Sequence, residues 1–201
     1  MMMGNLKIVF AGPTGAGKTT AVTAVSDVPV VTTDETATDM TQALKPKTTV
    51  ALDFGITTLG GFEPIHIYGA PGQERFSFMW DILTEGGSGL IVLADNSRSN
   101  PIKDLLFYLD TFKHYITDTK LAIGITRSDI SPNGPSIADY RKAITNIGFA
   151  PPIMYVDARS KQDVTLLVKA LMSSMSPLIH THQQTSYSDN ELAFPAVSQM
   201  F

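Results

Sequence analysis

Three short stretches carry residue types that do chemistry in combination. Residues 12–19 read GPTGAGKT and match G-x-x-x-x-G-K-[ST] at every fixed position. Gly15 and Gly17 let the backbone curl until its N–H groups converge, a concavity that fits phosphate oxygens and that a Cβ would block. Lys18 offers a point charge to the β- and γ-phosphates of a nucleoside triphosphate, and the Thr19 hydroxyl suits magnesium. Residues 67–76 read IYGAPGQERF. There the Gly72 N–H can bond the outermost phosphate, while the Gln73 amide can orient an attacking water without taking its proton. Residues 126–129 read TRSD and residues 156–161 read VDARSK. The Asp129 carboxylate can accept from guanine N1–H and the 2-amino group, a donor pair that adenine lacks. The Ala158 N–H can meet guanine O6.

Such loops need a scaffold that aims them. LKIVFA (residues 6–11) reads as a buried strand, followed by the glycine loop and a helix over 18–25. Residues 50–54 and 65–68 read as two strands joined by a turn containing Gly60 and Gly61. So short a link makes them antiparallel, since a parallel crossover needs about a dozen residues or more. GLIVLAD (89–95), LAIGIT (121–126) and IMYVD (153–157) are three further strands. Helical faces recur at Phe76, Met79, Trp80 and Leu83, at Ile102, Leu105, Leu106 and Leu109, and at Val164, Leu167, Val168, Leu171 and Met172. The pattern predicts an α/β P-loop NTPase fold over residues 1–175: a six-stranded, mostly parallel sheet with one antiparallel strand and about five flanking helices. Residues 26–48 are too long for an ordinary connection and read as a functional loop. Residues 176–201 lose all periodicity and read as a flexible tail.

Composition narrows the classes. At 43% hydrophobic and 17% charged, the 201-residue chain can bury a core rather than remain disordered. A net charge of −4 gives no basic field for nucleic acid or an anionic membrane. Without cysteine, thiolate metal sites and Cys-linked lipid anchors are excluded. MMMGNLKIVF has neither the charged n-region nor the cleavage site of a signal peptide, so the cytoplasm is the expected location, with any recruitment to membrane or pole left to a partner.

GPTGAGKT, Thr49, GAPGQERF, TRSD and DAR, in that order and spacing over roughly residues 5–175, resemble the Ras-like small GTPases. TVALDFG with a P-G-Q loop that lacks the usual aspartate is similar to the bacterial MglA-like branch. Members of that branch act as polarity or surface-motility switches, often with roadblock/LC7-type partners. The resemblance implies a GTPase domain over 1–175 that binds GTP or GDP with Mg²⁺. It implies a phosphate-binding set of Gly12, Thr14, Gly15, Ala16, Gly17, Lys18, Thr19, Thr20 and Gly72. The guanine-binding set is Thr126, Arg127, Asp129, Ala158 and Arg159. Gln73, Lys18 and Thr49 serve the reaction, and Thr19, Thr49 and Asp53 the metal. Thr48 competes with Thr49 for the switch threonine. A GTPase-activating or roadblock/LC7-type regulator and an effector would act through residues 38–50 and 69–80, with some of Phe76, Met79 and Trp80 facing the partner. Thr126 stands where most members have Asn, and Asp157 and Arg159 where Ser and Lys are usual. The loop before Thr49 offers only Lys45 and Lys47 in place of an arginine finger, so unassisted turnover is expected to be slow, on the order of 10⁻⁴–10⁻² s⁻¹.

One residue breaks the pattern. Three positions before Gly72, where D-x-x-G-Q-E carries a magnesium-orienting aspartate, the chain has Gly69. Asp53, between Leu52 and Phe54 in a short apolar strand, is costly there unless paired or close to a metal. Antiparallel pairing would bring the start of its strand beside the end of the one finishing at Gly69, so Asp53 could replace the lost carboxylate from the neighbouring strand. A surface-facing or cap-bonded Asp53 is the alternative.

Overall fold

In GLIVLAD (β5, Gly89–Asp95) all seven residues are buried, as a strand covered on both faces by helices requires. The computed structural model of the chain describes residues 6–32, 52–59, 63–73 and 76–175. It is an α/β fold with a seven-stranded, mostly parallel sheet and six helices among those residues. The remaining strands are β1 (Leu6–Ala11), β2 (Val31–Thr32), β3 (Asp53–Thr57), β4 (Ile65–Gly69), β6 (Lys120–Thr126) and β7 (Ile153–Tyr155). The helices are α1 (Lys18–Val25), α2 (Phe78–Thr84), α3 (Pro101–Thr111), α4 (Lys113–Asp118), α5 (Ile137–Asn146) and α6 (Lys161–Met175).

The strand order is β2-β3-β4-β1-β5-β6-β7. Alternate residues of β1 divide the core. Ile8 and Phe10 pack with Val22 and Val25 of α1 and Val164 and Leu167 of α6. Val9 and Ala11 pack with Trp80 of α2, Leu105 and Tyr108 of α3 and Tyr140 of α5. From β1 the chain crosses to the far edge at β2, returns through β3 to β4, and then leaves on the other side through β5, β6 and β7. The order therefore reverses beside β1, and a crevice opens beyond the carboxyl ends of the neighbouring strands.

Three expectations are corrected. The sheet has seven strands rather than six, because Val31 and Thr32 pair antiparallel with Phe54 and Asp53; two residues within the 26–48 loop are too few to show a period. The helices number six rather than about five, since Phe112 separates α3 from α4. The strand expected over 50–54 lies at Asp53–Thr57 and passes through Gly55. Residues 50–51, the Gly60–Gly61 turn and the 176–201 segment lie outside the described residues. The antiparallel relation of β3 to β4 is as expected.

Candidate functional site

The glycine loop leaves β1 at the sheet edge where the order reverses. Gly12 has φ +137°, and a Cβ there would strike the Leu93 carbonyl of β5. Gly17, at φ +93°, turns the chain into α1, and a Cβ there would lie 2.9 Å from the Ala158 methyl. Both positions therefore need glycine. Lys18 is buried, and its Nζ donates to the Gly12 and Pro13 carbonyls, each at 2.8 Å. Burial pulls its pKa down to about 8, with the charge of Asp53 working in the opposite direction. A buried ammonium that has lost much of its hydration is primed to take an anion. Thr14, Gly15, Thr19 and Thr20 are exposed along the same loop and first helical turn.

Asp53 opens β3 directly opposite Gly69, the last residue of β4. It is 6% exposed, and both carboxylate oxygens are engaged: Thr19 Oγ1 donates to Oδ2 at 2.6 Å and Thr32 Oγ1 to Oδ1 at 3.0 Å. A Cβ on Gly69 would lie 2.8 Å from Asp53 Oδ2 and 3.1 Å from its Cβ. The carboxylate of Asp53 thus fills the space that an aspartate at 69 would enter. Among the described residues no cluster of three or more His, Cys, Asp or Glu side chains could hold a metal alone. A hydroxyl beside a single carboxylate is nonetheless a hard-oxygen donor set that fits Mg²⁺, an ion that binds through one or two carboxylates together with substrate phosphates. Thr49, Thr48 and Arg75 lie outside the described residues.

The chain after β4 crosses in front of the loop. Ala70 N–H donates to the Phe10 carbonyl at 2.8 Å. A Cβ on Gly72 would lie 2.6 Å from both Lys18 Nζ and the Thr14 nitrogen, so only glycine sits there. Gln73 follows, exposed. Of the residues expected to face a partner, Phe76 and Trp80 are buried and Met79 is half-buried. Trp80, with Leu83, lies on the face of α2 that packs into the core, and Phe76 precedes the helix. The exposed apolar side chains on that helix are instead Phe78 and Ile82, at 57% and 59%, one turn apart on its outer side.

Thr126, 2% exposed, donates from Oγ1 to the Ala16 carbonyl at 3.0 Å, so the hydroxyl ties β6 to the glycine loop without an Asn. Arg127 adopts φ 59°, and its Nε donates to the Gly15 carbonyl at 3.0 Å and pairs with Asp95 Oδ2 at 3.4 Å. Asp129 is held by Arg159, whose Nη2 reaches its Oδ2 at 3.2 Å. Arg159 is itself gripped by Asp157, with Nε on Oδ1 at 2.8 Å and Nη2 on Oδ2 at 2.9 Å. This fork holds the Asp157 carboxyl below its ordinary pKa and the guanidinium above its own. Thr126, Arg127, Asp129, Ala158 and Arg159, the whole expected base-binding set, line one cleft of about 250 Å³ together with Ala16 and Gly17.

No protein-family model matches the chain. An uncharacterized protein of Methanocaldococcus jannaschii is 30% identical over 99 residues, which take in 49% of this chain. The match spans only 56% of that relative's length. No helix among the described residues is long and apolar enough to cross a membrane.

Sequence reasoning missed four residues of this site. Thr32 lies in a two-residue strand, and Asp95 ends β5 as a buried carboxylate accepting from Ser97 N and Oγ. Trp80 is expected only on a helical stripe with members facing a partner, and Tyr108 carries no expectation, yet each donates to the 71–72 segment. Only Asp95 gave a signal, a charge closing an apolar strand.

Proposed function

We propose that this chain is a P-loop NTPase that binds guanine nucleotides and hydrolyses GTP slowly to GDP and phosphate, acting as a molecular switch. The shared cleft carries the reading. Asp129 and Ala158 line the same space as Ala16 and Gly17, so a ligand whose base reaches Asp129 lays its phosphates along the glycine loop. The reversal of strand order at β1 supports the same class.

Each residue then has a task. Backbone N–H groups from Thr14 to Thr20 cradle the phosphates, and Lys18 supplies charge to the outer two. Asp53 accepts the hydroxyl hydrogen of Thr19, which leaves the oxygen lone pairs for a cation. Magnesium, when bound, offsets charge on the outer phosphates. Gln73 orients the attacking water, and Asp129 reads the guanine edge once its contact with Arg159 is exchanged. A GTPase-activating or roadblock/LC7-type regulator and an effector act on 38–50 and 69–80, the second of which carries the exposed Phe78. A role in bacterial polarity or surface motility follows from the resemblance.

Calorimetric titration with GDP, GTP and ATP in the presence of magnesium tests the reading. Both guanine nucleotides are expected to bind and ATP to fail; no uptake of either guanine nucleotide overturns it. A second reading, a module holding GTP or GDP with negligible turnover, is favoured by the lack of arginine in residues 26–48. Single-turnover hydrolysis separates the two. Gln73→Leu should slow it about tenfold or more if Gln73 positions water, and should change nothing in an inert module.

A further inference from the structure

The segment in front of the glycine loop is held from behind by two aromatic side chains. Trp80 of α2 is 2% exposed, and its Nε1–H donates to the Pro71 carbonyl at 2.9 Å. Tyr108 of α3 is 3% exposed, and its hydroxyl donates to the Gly72 carbonyl at 3.0 Å. The two rings lie 5.5 Å apart, and Trp80 also packs on Phe112 at 5.3 Å. Moving one ring therefore disturbs the other. On the opposite side, Gly72 faces the glycine loop so closely that a Cβ on it would lie 2.6 Å from both the Lys18 ammonium and the Thr14 amide nitrogen. The backbone at 72 is caught between the glycine loop and α3.

We propose that Tyr108 is a positioning residue whose hydroxyl keeps Gly72 seated on Lys18 and Thr14 and thereby sets the preference for a diphosphate over a triphosphate. The inference rests on the guanine-nucleotide reading above. An outermost phosphate taken by Lys18 and the Thr14 amide would occupy the space that Gly72 faces, so Gly72 must draw back before its N–H can bond that phosphate. That displacement breaks the hydrogen bond from Tyr108 to the Gly72 carbonyl. A diphosphate leaves Gly72 in place. The hydroxyl therefore selects against the third phosphate by roughly the worth of one buried hydrogen bond, a several-fold effect. The Trp80 bond to Pro71 and the Ala70 bond to Phe10 fix the two residues before it, so the strain concentrates at Gly72.

Tyr108→Phe keeps the ring against Trp80 and removes only the hydroxyl. Dissociation constants for GDP and for a non-hydrolysable GTP analogue, with magnesium, are measured on the full chain and the variant. The affinity ratio of GTP analogue to GDP should rise about threefold to tenfold in the variant, with GDP affinity little changed. A ratio that stays put or falls overturns the proposal, and a purely structural role would weaken both ligands together and leave the ratio alone. Should Tyr108→Phe fail to fold, Trp80→Phe removes the donor to Pro71 and carries the same test: a raised ratio supports the latch, an unchanged one overturns it. If neither nucleotide binds the unaltered chain, the guanine-nucleotide reading falls and takes the latch with it. If both bind and no variant shifts the ratio, the latch alone falls.

Discussion

A side chain at position 69 and the carboxylate of Asp53 claim the same volume, and two anions there would also repel. Gly69→Asp alone should therefore cost about 2–4 kcal/mol, read as a lower denaturant midpoint. Asp53→Ala should lower the magnesium affinity of the nucleotide complex about 10–100-fold, the usual loss when a group that orients a ligand is removed. Combining Asp53→Ala with Gly69→Asp returns a carboxylate to the same place from the other strand, and should recover most of that affinity in a magnesium titration. Unaltered affinity in Asp53→Ala would remove the role. Lys18 adds a pH dependence. Burial brings its pKa to about 8, and phosphate requires the ammonium. Below that pH the proton is already present and affinity is flat. Above it each binding event must take up a proton, so affinity should fall by up to about tenfold per pH unit. Calorimetry at pH 9 in buffers of different ionisation heat should reveal that uptake; constant affinity from pH 7 to 9.5 would contradict it.

The approach of α1 to β3 decides where the carboxylate sits. Gly55 lets them touch: a Cβ there would lie 2.8 Å from Ser26 Oγ and 3.3 Å from a Val22 methyl. Ser26 cannot yield, because its hydroxyl bonds the Ile56 N–H at 3.2 Å and the Val28 carbonyl at 2.7 Å. Gly55→Ala should destabilise by about 1–3 kcal/mol, visible in a urea titration. The same glycine explains why β3 was hard to delimit. In a sequence it reads as the strand's end, whereas in the sheet it is the strand's centre. Helices were legible where four or more apolar residues recurred, as in α6, whereas α5, with only Ile137, Tyr140 and Ile144 on its stripe, carried no expectation. Helices were also less legible where one residue, Phe112, divides α3 from α4. The apolar stripe of α2 was legible as helical, but that Trp80 turns inward while Phe78 and Ile82 stay outside was not, since Phe78 and Ile82 have a spacing of their own.

At the scale of the whole molecule, segments far apart in the chain meet at one sheet edge because β1 lies in the middle of the order with successors on both sides. The loops after β1, β4, β6 and β7 were legible because each motif directly follows an apolar strand, and a strand's carboxyl end is where a loop can reach a ligand. Asp53 was half legible. Its pairing partner followed from an antiparallel turn, but its bond to Thr19 depends on a side-chain direction that spacing does not encode. The grip of Arg159 on Asp129 was not legible at all, being a choice between rotamers on an exposed surface. One consequence concerns light. The chain has a single tryptophan, and its indole N–H is bonded to the very stretch that crosses the glycine loop. Indole emission shifts with the polarity and hydrogen bonding around that ring, so the fold carries its own unlabelled optical gauge, wired to one backbone carbonyl and undiluted by any second fluorophore of its kind.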